Sequence, residues 1–312
     1  MTRVIFMGTP AFAVPSLAAL VDAGYDIAAV VTQPDAPAGR GKALKPSAVK
    51  EFALQHQLNI LQPATLKPKE EVERLRELAP DVIVVAAFGQ ILRQNVLDIP
   101  RYNCLNVHAS LLPRWRGASP ISAAIAAGDA ATGITIMIME AGLDSGPILT
   151  QREEAIRYDD TTDTLTSRLA QTGAALLQET LPQWLTHEIA PRKQEAAHVT
   201  LAPRLQKEAG KIDWSLHAPA IERHVRAMSS WPSAFTTLQG KQLKVLRAEI
   251  GMVDHKDKLQ NGAVLIDRNH VYVQCGDGLL RLVQVQLEGK RVMNAADFAR
   301  GHSALAGAVL GG

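Results

Sequence analysis

The sequence has few of the residues that build disulfide bonds and metal clusters. It contains two cysteines, Cys104 and Cys275, which lie far apart in apolar surroundings, and its nine histidines form no H-E-x-x-H or similar spacing. No C-x-x-C pair occurs. Two separate thiols of this kind argue against a disulfide or zinc framework and are typical of a reducing cytoplasm. We therefore expect no metal site.

Long apolar runs are also missing. No stretch approaches the roughly 18 apolar residues of a membrane-spanning helix, and the N-terminus lacks the apolar core of a signal peptide. These absences predict a cytoplasmic protein without a membrane partner. Aromatic residues are sparse, at 4%, whereas hydrophobic residues of all kinds reach 47%. The cores are therefore expected to consist of Leu, Val, Ile and Ala.

The charged residues are unevenly distributed over the domains that the chain is expected to form, although the net charge is only +2. The length of 312 residues suggests two domains. Residues 190–209 lack periodicity and are rich in Ala, Pro and basic residues, so we predict a linker there, between domains at 1–189 and 210–312. The three parts carry 16 Lys+Arg against 20 Asp+Glu, 4 against 2, and 13 against 9. A basic C-terminal part indicates a nucleic acid or another acidic partner, although many domains have such an excess without that role.

The N-terminal part has the alternation of a parallel α/β sheet. Apolar strand candidates at 3–7 and 27–32 flank a helical pattern at 14–23, which makes a βαβ unit. Residues 81–87 are nearly all apolar, as expected of a strand covered on both faces. Pro10 and Ala13 stand where a dinucleotide-binding G-x-G-x-x-G motif needs glycine. The pattern predicts a Rossmann-like parallel sheet without the pyrophosphate cradle.

The C-terminal part has the pattern of a small β-barrel. After a predicted helix at 219–228, short alternating segments are separated by Gly, Asn and Asp, and they cover residues 234–238, 243–250, 263–266, 271–275 and 279–285. Gly276-Asp277-Gly278 is suited to a tight hairpin turn. We predict an OB-like barrel, a shape that does not by itself establish oligonucleotide binding.

Three polar residues in the N-terminal part have the types and spacing of a reaction centre. Cys104 to Val107 predicts a short strand, and Asn106 and His108 are two apart, so they point to one face at the strand's end. A second predicted strand, 132–139, leads to a turn in which Asp144 lies between two glycines. That turn can return the carboxylate toward Asn106 and His108. From the spacing alone, a satisfied core histidine and a turn-capping aspartate are the more common arrangement.

An Asn, a His and an Asp in one pocket suit acyl transfer to an amine. Asn106 and a protonated His108 can donate hydrogen bonds to the oxyanion of a tetrahedral intermediate. Asp144 would favour the charged imidazole and accept or relay the proton of the amine. None of the three needs to be a covalent nucleophile.

Several motifs together resemble the folate-dependent formyltransferases over essentially the whole chain. They are Met7-Gly-Thr-Pro10, Gln33-Pro-Asp35, Pro37-Ala-Gly-Arg-Gly-Lys42, Asn106-Val-His-Ala-Ser-Leu-Leu-Pro113, Pro113-Arg-Trp-Arg-Gly117, Gly142-Leu-Asp-Ser-Gly146 and Ile212-Asp-Trp-Ser215. Each is weak alone, but the set is specific. The resemblance implies that Asn106, His108 and Asp144 are catalytic and that no metal takes part.

The resemblance also implies where the substrates bind. It assigns the folate site to Ser110, Leu111, Leu112 and Pro113, together with Phe88, Gly89 and Gln90. It makes the loop 33–46, with Arg40, Lys42 and Lys45, a grip on the acceptor end of tRNA, whereas composition alone indicates a solvated surface loop. Lys211, Arg223 and Arg226 are the candidate phosphate contacts of the C-terminal barrel.

The reaction that the resemblance implies is formyl transfer from 10-formyltetrahydrofolate to the α-amine of methionyl initiator tRNA, by a cytoplasmic monomer. A formyltransferase that acts on a nucleotide-linked amino sugar or another small amine is one alternative, and it would share the three catalytic residues but lack the basic linker and the barrel. A nucleotide-binding or RNA-binding module, in which the three polar residues are structural, is the other.

Overall fold

A computed structural model describes residues 1–38, 43–251 and 259–311 of the chain. The described residues form two compact units. The first comprises residues 1–120, 131–155 and 166–202, and the second comprises 121–130, 156–165 and 203–312. The predicted boundaries at 189/190 and 209/210 stay predictions. Within the described ranges, no helix has both the length and the apolar character that crossing a membrane requires.

A seven-stranded sheet forms the centre of the first unit. Its strands are β1 (Arg3–Gly8), β2 (Asp26–Val31), β5 (Ile60–Leu61), β6 (Val82–Ala86), β7 (Cys104–His108), β8 (Ala131–Ile138) and β9 (Ile148–Ala155). They lie in the order β5-β2-β1-β6-β7-β8-β9. The first five are parallel, which confirms the predicted parallel sheet. β8 and β9 extend it in antiparallel fashion.

Burial explains why these segments are strands. Every residue of β6 and of β7 is buried, so each strand is covered on both faces, as in a parallel sheet packed between helices. Ile5, Met7, Ile83, Val85 and Phe88 belong to one core cluster on the sheet. The helices of the first unit are α1 (Val14–Asp22), α2 (Ala48–Gln55), α3 (Lys69–Glu77) and α4 (Gln94–Leu97). Two further helices are divided between the units: α5 (Pro120–Ala127) lies in the second unit apart from its first residue, and α6 (Thr162–Leu185) lies in the first unit from residue 166 onward.

The loop at 33–46 is more regular than its composition predicts. Residues Ala36–Ala38 (β3) and Ala43–Lys45 (β4) pair as antiparallel strands, so the interpretation of 33–46 as a loop is wrong for these six residues. A two-stranded ribbon consists of edges only, and an edge is where a sheet tolerates proline such as Pro37. At the base of the loop, hydrogen bonds from Lys50 and Gln62 anchor the Asp35 carboxylate and hold its pKa below the usual value.

An antiparallel sheet forms the centre of the second unit. Its strands are β10 (Phe235–Leu238), β11 (Lys241–Gly251), β12 (Val264–Asp267), β13 (His270–Gln274), β14 (Leu279–Leu287) and β15 (Met293–Asn294), with helices α7 (Ala218–Ala227) and α8 (Ala295–Gly301). The order is β10-β11-β14-β13-β12, and β15 pairs with β14. A Rossmann-like sheet followed by a small, barrel-like antiparallel sheet confirms the predicted fold class, although in the described residues the second sheet is an open path rather than a closed barrel.

Candidate active site

Two neighbouring parallel strands end at the proposed reaction centre. β6 and β7 pair with Val85 opposite Asn106, so their carboxyl ends open at the same edge of the sheet, which is where α/β proteins bind ligands. Asn106 and His108 are two residues apart on β7 and share a face. Both are largely buried, with 8% and 6% of their surfaces exposed. Buried polar side chains at a strand end need defined partners.

Asp144 is the partner that the fold brings to them. Its Oδ1 lies 3.5 Å from the Asn106 Nδ2 that donates to it, and its Oδ2 lies 3.7 Å from His108 Nδ1. Oδ2 also accepts a hydrogen bond of 2.8 Å from the backbone N–H of Gly117. The predicted convergence of the three side chains is therefore seen in the structure.

The imidazole of His108 is oriented by its second nitrogen. Nε2 lies 3.0 Å from the carbonyl oxygen of Trp115. A carbonyl oxygen can only accept, so Nε2 carries a proton and donates it there. This leaves Nδ1 as the ring nitrogen that faces Asp144 and any reacting group beside it.

The Ser-Leu-Leu-Pro loop is held by hydrogen bonds to its own polar groups. Ser110 is fully buried and its hydroxyl donates to the carbonyl of Arg114 at 2.6 Å. The hydroxyl of Thr135 donates to the Ser110 carbonyl at 2.6 Å and accepts from the N–H of Leu112 at 3.1 Å. Gln151 donates to the Leu112 carbonyl at 2.9 Å. Leu111 and Pro113 are partly exposed. The loop therefore presents apolar surface at this edge of the sheet and is held in place by these hydrogen bonds.

The Phe88-Gly89-Gln90 segment follows β6 at the same edge of the sheet. The Phe88 side chain is buried in the core, and Gln90 bonds to the 63–66 backbone, accepting from Leu66 N–H at 3.0 Å and donating to Pro63 O at 3.2 Å. Gly89 is exposed, at a φ of 85°. In this segment Gly89 is accessible, whereas the ring of Phe88 is not.

The nearby thiol does not provide a nucleophile. Burial, with a smaller contribution from the charge of Asp98, raises the pKa of Cys104 to about 12. The thiol stays protonated near neutral pH, and a protonated thiol is a poor nucleophile. In the ranges 1–38, 43–251 and 259–311, no group of three His, Cys, Asp or Glu side chains is arranged to hold a metal ion.

The predicted basic residues fall into different environments. Arg40 and Lys42 lie outside the described residues, and Lys45 is exposed at the end of β4. Lys211 is exposed as well. In contrast, Arg226 pairs with Glu222 at 2.6 Å and donates to the carbonyl of Asp160 at 2.9 Å.

Arg223, by comparison, donates to the carbonyl of Ala126 at 3.4 Å. It also packs over Gly128, where an added Cβ would lie 2.9 Å from the Arg223 Nε. Its guanidinium is therefore used inside the second unit.

Sequence reasoning missed the side chains that support the centre. Thr135 and Gln151 lie on β8 and β9 and fasten the Ser-Leu-Leu-Pro loop. Gln194 lies in the predicted linker and donates to the carbonyls of Asp144 and Gly146. Period-two alternation could have placed Thr135 on the face of its strand, but no local pattern marks Gln194.

Comparison with known proteins identifies the family. Residues 2–181 match the formyl transferase family, and residues 204–303 match the formyl transferase C-terminal domain. A methionyl-tRNA formyltransferase of Methylococcus capsulatus is 47% identical over 99% of this chain and 99% of its own length. One from Myxococcus xanthus is 47% identical over 96% of this chain and 95% of its own.

Solved structures of low sequence identity share the fold. The N-formyltransferase from Helicobacter canadensis, solved with folinic acid and dTDP-3-aminofucose, has a TM-score of 0.68 at 16% identity, over 92% of this chain and all of that one. HypX from Aquifex aeolicus, in complex with tetrahydrofolic acid, has a TM-score of 0.62 at 17% identity, over 95% of this chain and 46% of that one. With near full-length relatives at 47% identity and both domains matched, this chain belongs to the formyl transferase family, among the methionyl-tRNA formyltransferases.

Proposed function

We propose that this protein transfers the formyl group of 10-formyltetrahydrofolate to the α-amine of methionine esterified to initiator tRNA, which supplies formylmethionyl-tRNA for translation initiation. The observation that carries the proposal is the convergence of Asn106, His108 and Asp144 from β7 and a separate turn. The near full-length similarity to methionyl-tRNA formyltransferases supports the choice of acceptor.

Asn106 and His108 are proposed to stabilise the oxyanion that develops on the formyl oxygen. Asn106 has two amide N–H groups, of which one points to Asp144 at 3.5 Å and the other remains for a substrate. His108 uses Nε2 for the Trp115 carbonyl, so the donor to the oxyanion is its Nδ1–H. Donors held in place before the reaction cost no reorganisation when charge develops, which is how an oxyanion hole accelerates acyl transfer.

Asp144 is proposed to orient these donors and to take the amine's proton. A carboxylate has two oxygens with several acceptor positions, and Asp144 uses them toward Asn106 and the N–H of Gly117. Its remaining lone pairs face His108. The attacking amine must lose a proton as its bond to the formyl carbon forms, and a positioned carboxylate is a suitable acceptor. The bond between the formyl carbon and N10 of the folate then breaks, and the carboxylate passes the proton to N10, so that tetrahydrofolate leaves as the neutral amine.

The sheet edge fits a folate. Ala87 and Gly89 are exposed residues just after β6, and we propose that their backbone amide groups meet the hydrogen-bonding edge of a pterin ring, for which the missing side chain at Gly89 leaves room. Leu111 and Pro113 supply apolar surface for its flat face. We therefore propose that Ser110–Pro113 and Phe88–Gln90 line the folate site, with Ser110 and Phe88 acting as buried supports. The folate brings an activated formyl group, so we assign no metal ion to the chemistry.

The tRNA is proposed to bind two parts of the chain that do different work. The part 210–312 and the linker 190–209 are basic, and we propose that they supply phosphate contacts that tolerate different sequences. The loop with Arg40, Lys42 and Lys45 is proposed to guide the acceptor end toward Asn106 and His108. The domain from 1 to 189 would then perform the chemistry.

Lys211 and Arg226 allow a matched test of the basic surface. Lys211→Ala should weaken tRNA binding evenly across sequences and lower the salt dependence of log K by about one unit, because an exposed ammonium can meet a phosphate. Arg226→Ala should instead lower the thermal unfolding midpoint and change tRNA affinity little, because its guanidinium is already used by Glu222 and Asp160. Both variants are measured by tRNA binding across a salt series and by thermal unfolding. Equal losses of affinity in the two would contradict this assignment.

An acceptor comparison tests the function itself. The protein is mixed with 10-formyltetrahydrofolate and, in separate reactions, methionyl initiator tRNA, methionyl elongator tRNA and a nucleotide-linked amino sugar. We expect formylation of the methionyl initiator tRNA and none of the sugar. Transfer to the sugar would indicate the amino-sugar enzyme instead. Transfer to no acceptor, with tRNA still bound, would indicate a binding module.

A further inference from the structure

We infer that Gln194 is a positioning residue that holds Asp144 in its working conformation, an inference that rests on the proposed formyl transfer. Gln194 belongs to a segment, residues 192–202, that we call the strap. The strap falls within the predicted linker, but it is part of the first compact unit. Its residues are therefore part of the structure of that unit as well as a connection along the chain.

Gln194 is 7% exposed, and its side-chain amide makes four hydrogen bonds. Its Nε2 donates to the carbonyls of Asp144 and Gly146, each at 2.8 Å. Its Oε1 accepts from Nε and Nη2 of Arg116, at 3.0 and 2.8 Å. A primary amide has two N–H groups and two acceptor lone pairs, so its capacity is fully used. The amide thus joins the Asp144 turn to the loop that carries Arg116 and the Trp115 carbonyl.

The Asp144 turn needs such a support. Asp144 has a φ of 44°, in the left-handed region that residues with side chains rarely adopt. Without Gln194, the backbone carbonyls of Asp144 and Gly146 would lose a hydrogen-bond donor in a partly buried site. A small rotation of this backbone would move the Asp144 carboxylate away from Asn106 and His108. Misplacing a reacting group by about 1 Å can cost about a hundredfold in rate.

The strap itself is anchored on both sides of Gln194. Arg192 and Ile148 exchange two backbone hydrogen bonds of 2.8 Å. Further along, the Thr200 hydroxyl accepts from Trp115 N–H at 2.9 Å, and the Thr200 carbonyl accepts from Arg116 N–H at 2.9 Å.

Gly117 stands against the end of the strap, where an added Cβ would lie 2.5 Å from the Ala202 carbonyl oxygen. This close approach and the hydrogen bonds on both sides of Gln194 fix the backbone of the strap. The Gln194 amide is therefore held in a fixed position against the Asp144 turn.

Two substitutions of Gln194 test whether its hydrogen bonds to the Asp144 turn are needed for catalysis. Gln194→Met keeps the length of the side chain and removes all four hydrogen bonds. Gln194→Glu keeps acceptors for Arg116 but turns an oxygen toward the carbonyls of Asp144 and Gly146. We expect both to lower kcat by about 10- to 100-fold, with KM for both substrates within about twofold, because the lost interactions act through Asp144 and not through substrate binding.

Controls distinguish positioning from general stability. Gln183→Met changes an exposed helical glutamine of the same unit and should leave kcat unchanged. Ile5→Val removes one buried methylene from the core and should lower the unfolding midpoint without lowering kcat. If Ile5→Val loses as much kcat as Gln194→Met at a similar drop in midpoint, Gln194 is only structural.

Amide hydrogen exchange gives a readout that does not depend on activity. In Gln194→Met and Gln194→Glu, the peptide covering residues 113–119 should exchange about tenfold faster or more, because the hydrogen bond from the Gly117 N–H to Asp144 opens more often. Peptides from β1 and β6 should not change. Unchanged exchange in 113–119, or faster exchange with unchanged kcat, would overturn the inference. Failure of the wild-type protein to transfer formyl would reject the proposed function instead, and exchange would still decide whether Gln194 braces the turn.

Discussion

Asp144→Asn should reduce single-turnover formyl transfer by about 10²- to 10⁴-fold while the protein stays folded. The carboxylate accepts from Asn106 on one oxygen and from the Gly117 N–H on the other, and it faces His108 with its remaining lone pairs. An amide cannot take the amine's proton, and it replaces one acceptor oxygen by a donor.

The amide is unfavourable in either orientation. If its NH₂ group points to Asn106, two donors face each other across the 3.5 Å contact. If it points to Gly117, the same conflict arises at the 2.8 Å contact. One hydrogen bond is lost in each case, which costs about 0.5–1.5 kcal/mol of stability. This loss shifts the unfolding midpoint by a few degrees at most and leaves the fold intact.

Glu140→Gln is the matched control for Asp144→Asn. Glu140 is an exposed acid close to the same turn, so its substitution makes the same change in net charge away from the contacts. Activity and thermal unfolding are measured on both variants. The catalytic role fails if Asp144→Asn loses activity only together with unfolding, or if Glu140→Gln loses as much.

Removal of either proposed oxyanion donor should cause the second largest loss of the single-turnover rate. Asn106→Ala and His108→Ala should each lower the single-turnover rate by about 10²- to 10³-fold, the usual cost of one such donor. Affinity for tRNA should stay close to that of the unmodified protein, because both side chains are buried at the strand end and contribute little contact surface.

His187→Ala provides the comparison for the histidine variant. His187 is an exposed histidine of the same unit, in contact with the rings of Tyr102 and Trp184, and it has no part in the centre. Its substitution should leave the formylation rate unchanged. A His108→Ala or Asn106→Ala protein with near wild-type turnover would remove that residue from the mechanism.

Sequence patterns located the elements with strong periodicity. The predicted helices at 14–23 and 219–228 lie within one residue of the bounds observed for α1 and α7. The strand that carries Asn106 and His108 ends one residue later than predicted, at His108. These segments repeat their apolar residues at one period along their length, and the buried face follows from that period.

The remaining features depend on contacts between residues distant in sequence. The hydrogen bond between Asn106 and Asp144 joins residues 38 positions apart, and the hydrogen bond from Gln194 to the Asp144 carbonyl joins residues 50 positions apart. Local composition describes 190–209 as a linker because the segment lacks periodicity and is rich in Ala, Pro and basic residues. Its regularity comes from hydrogen bonds to the loop at 113–119 and to Ile148, which no local pattern records.

The claim that Asn106, His108 and Asp144 form one formyl-transfer centre is tested most directly by a double-mutant cycle. Single-turnover formylation of methionyl initiator tRNA is measured for the unmodified protein, His108→Ala, Asp144→Asn and the double variant. Residues that act as a unit are not additive. We therefore expect the double variant to be about as slow as the slower single variant. A loss equal to the product of the two single losses would show that His108 and Asp144 act independently and would contradict the account.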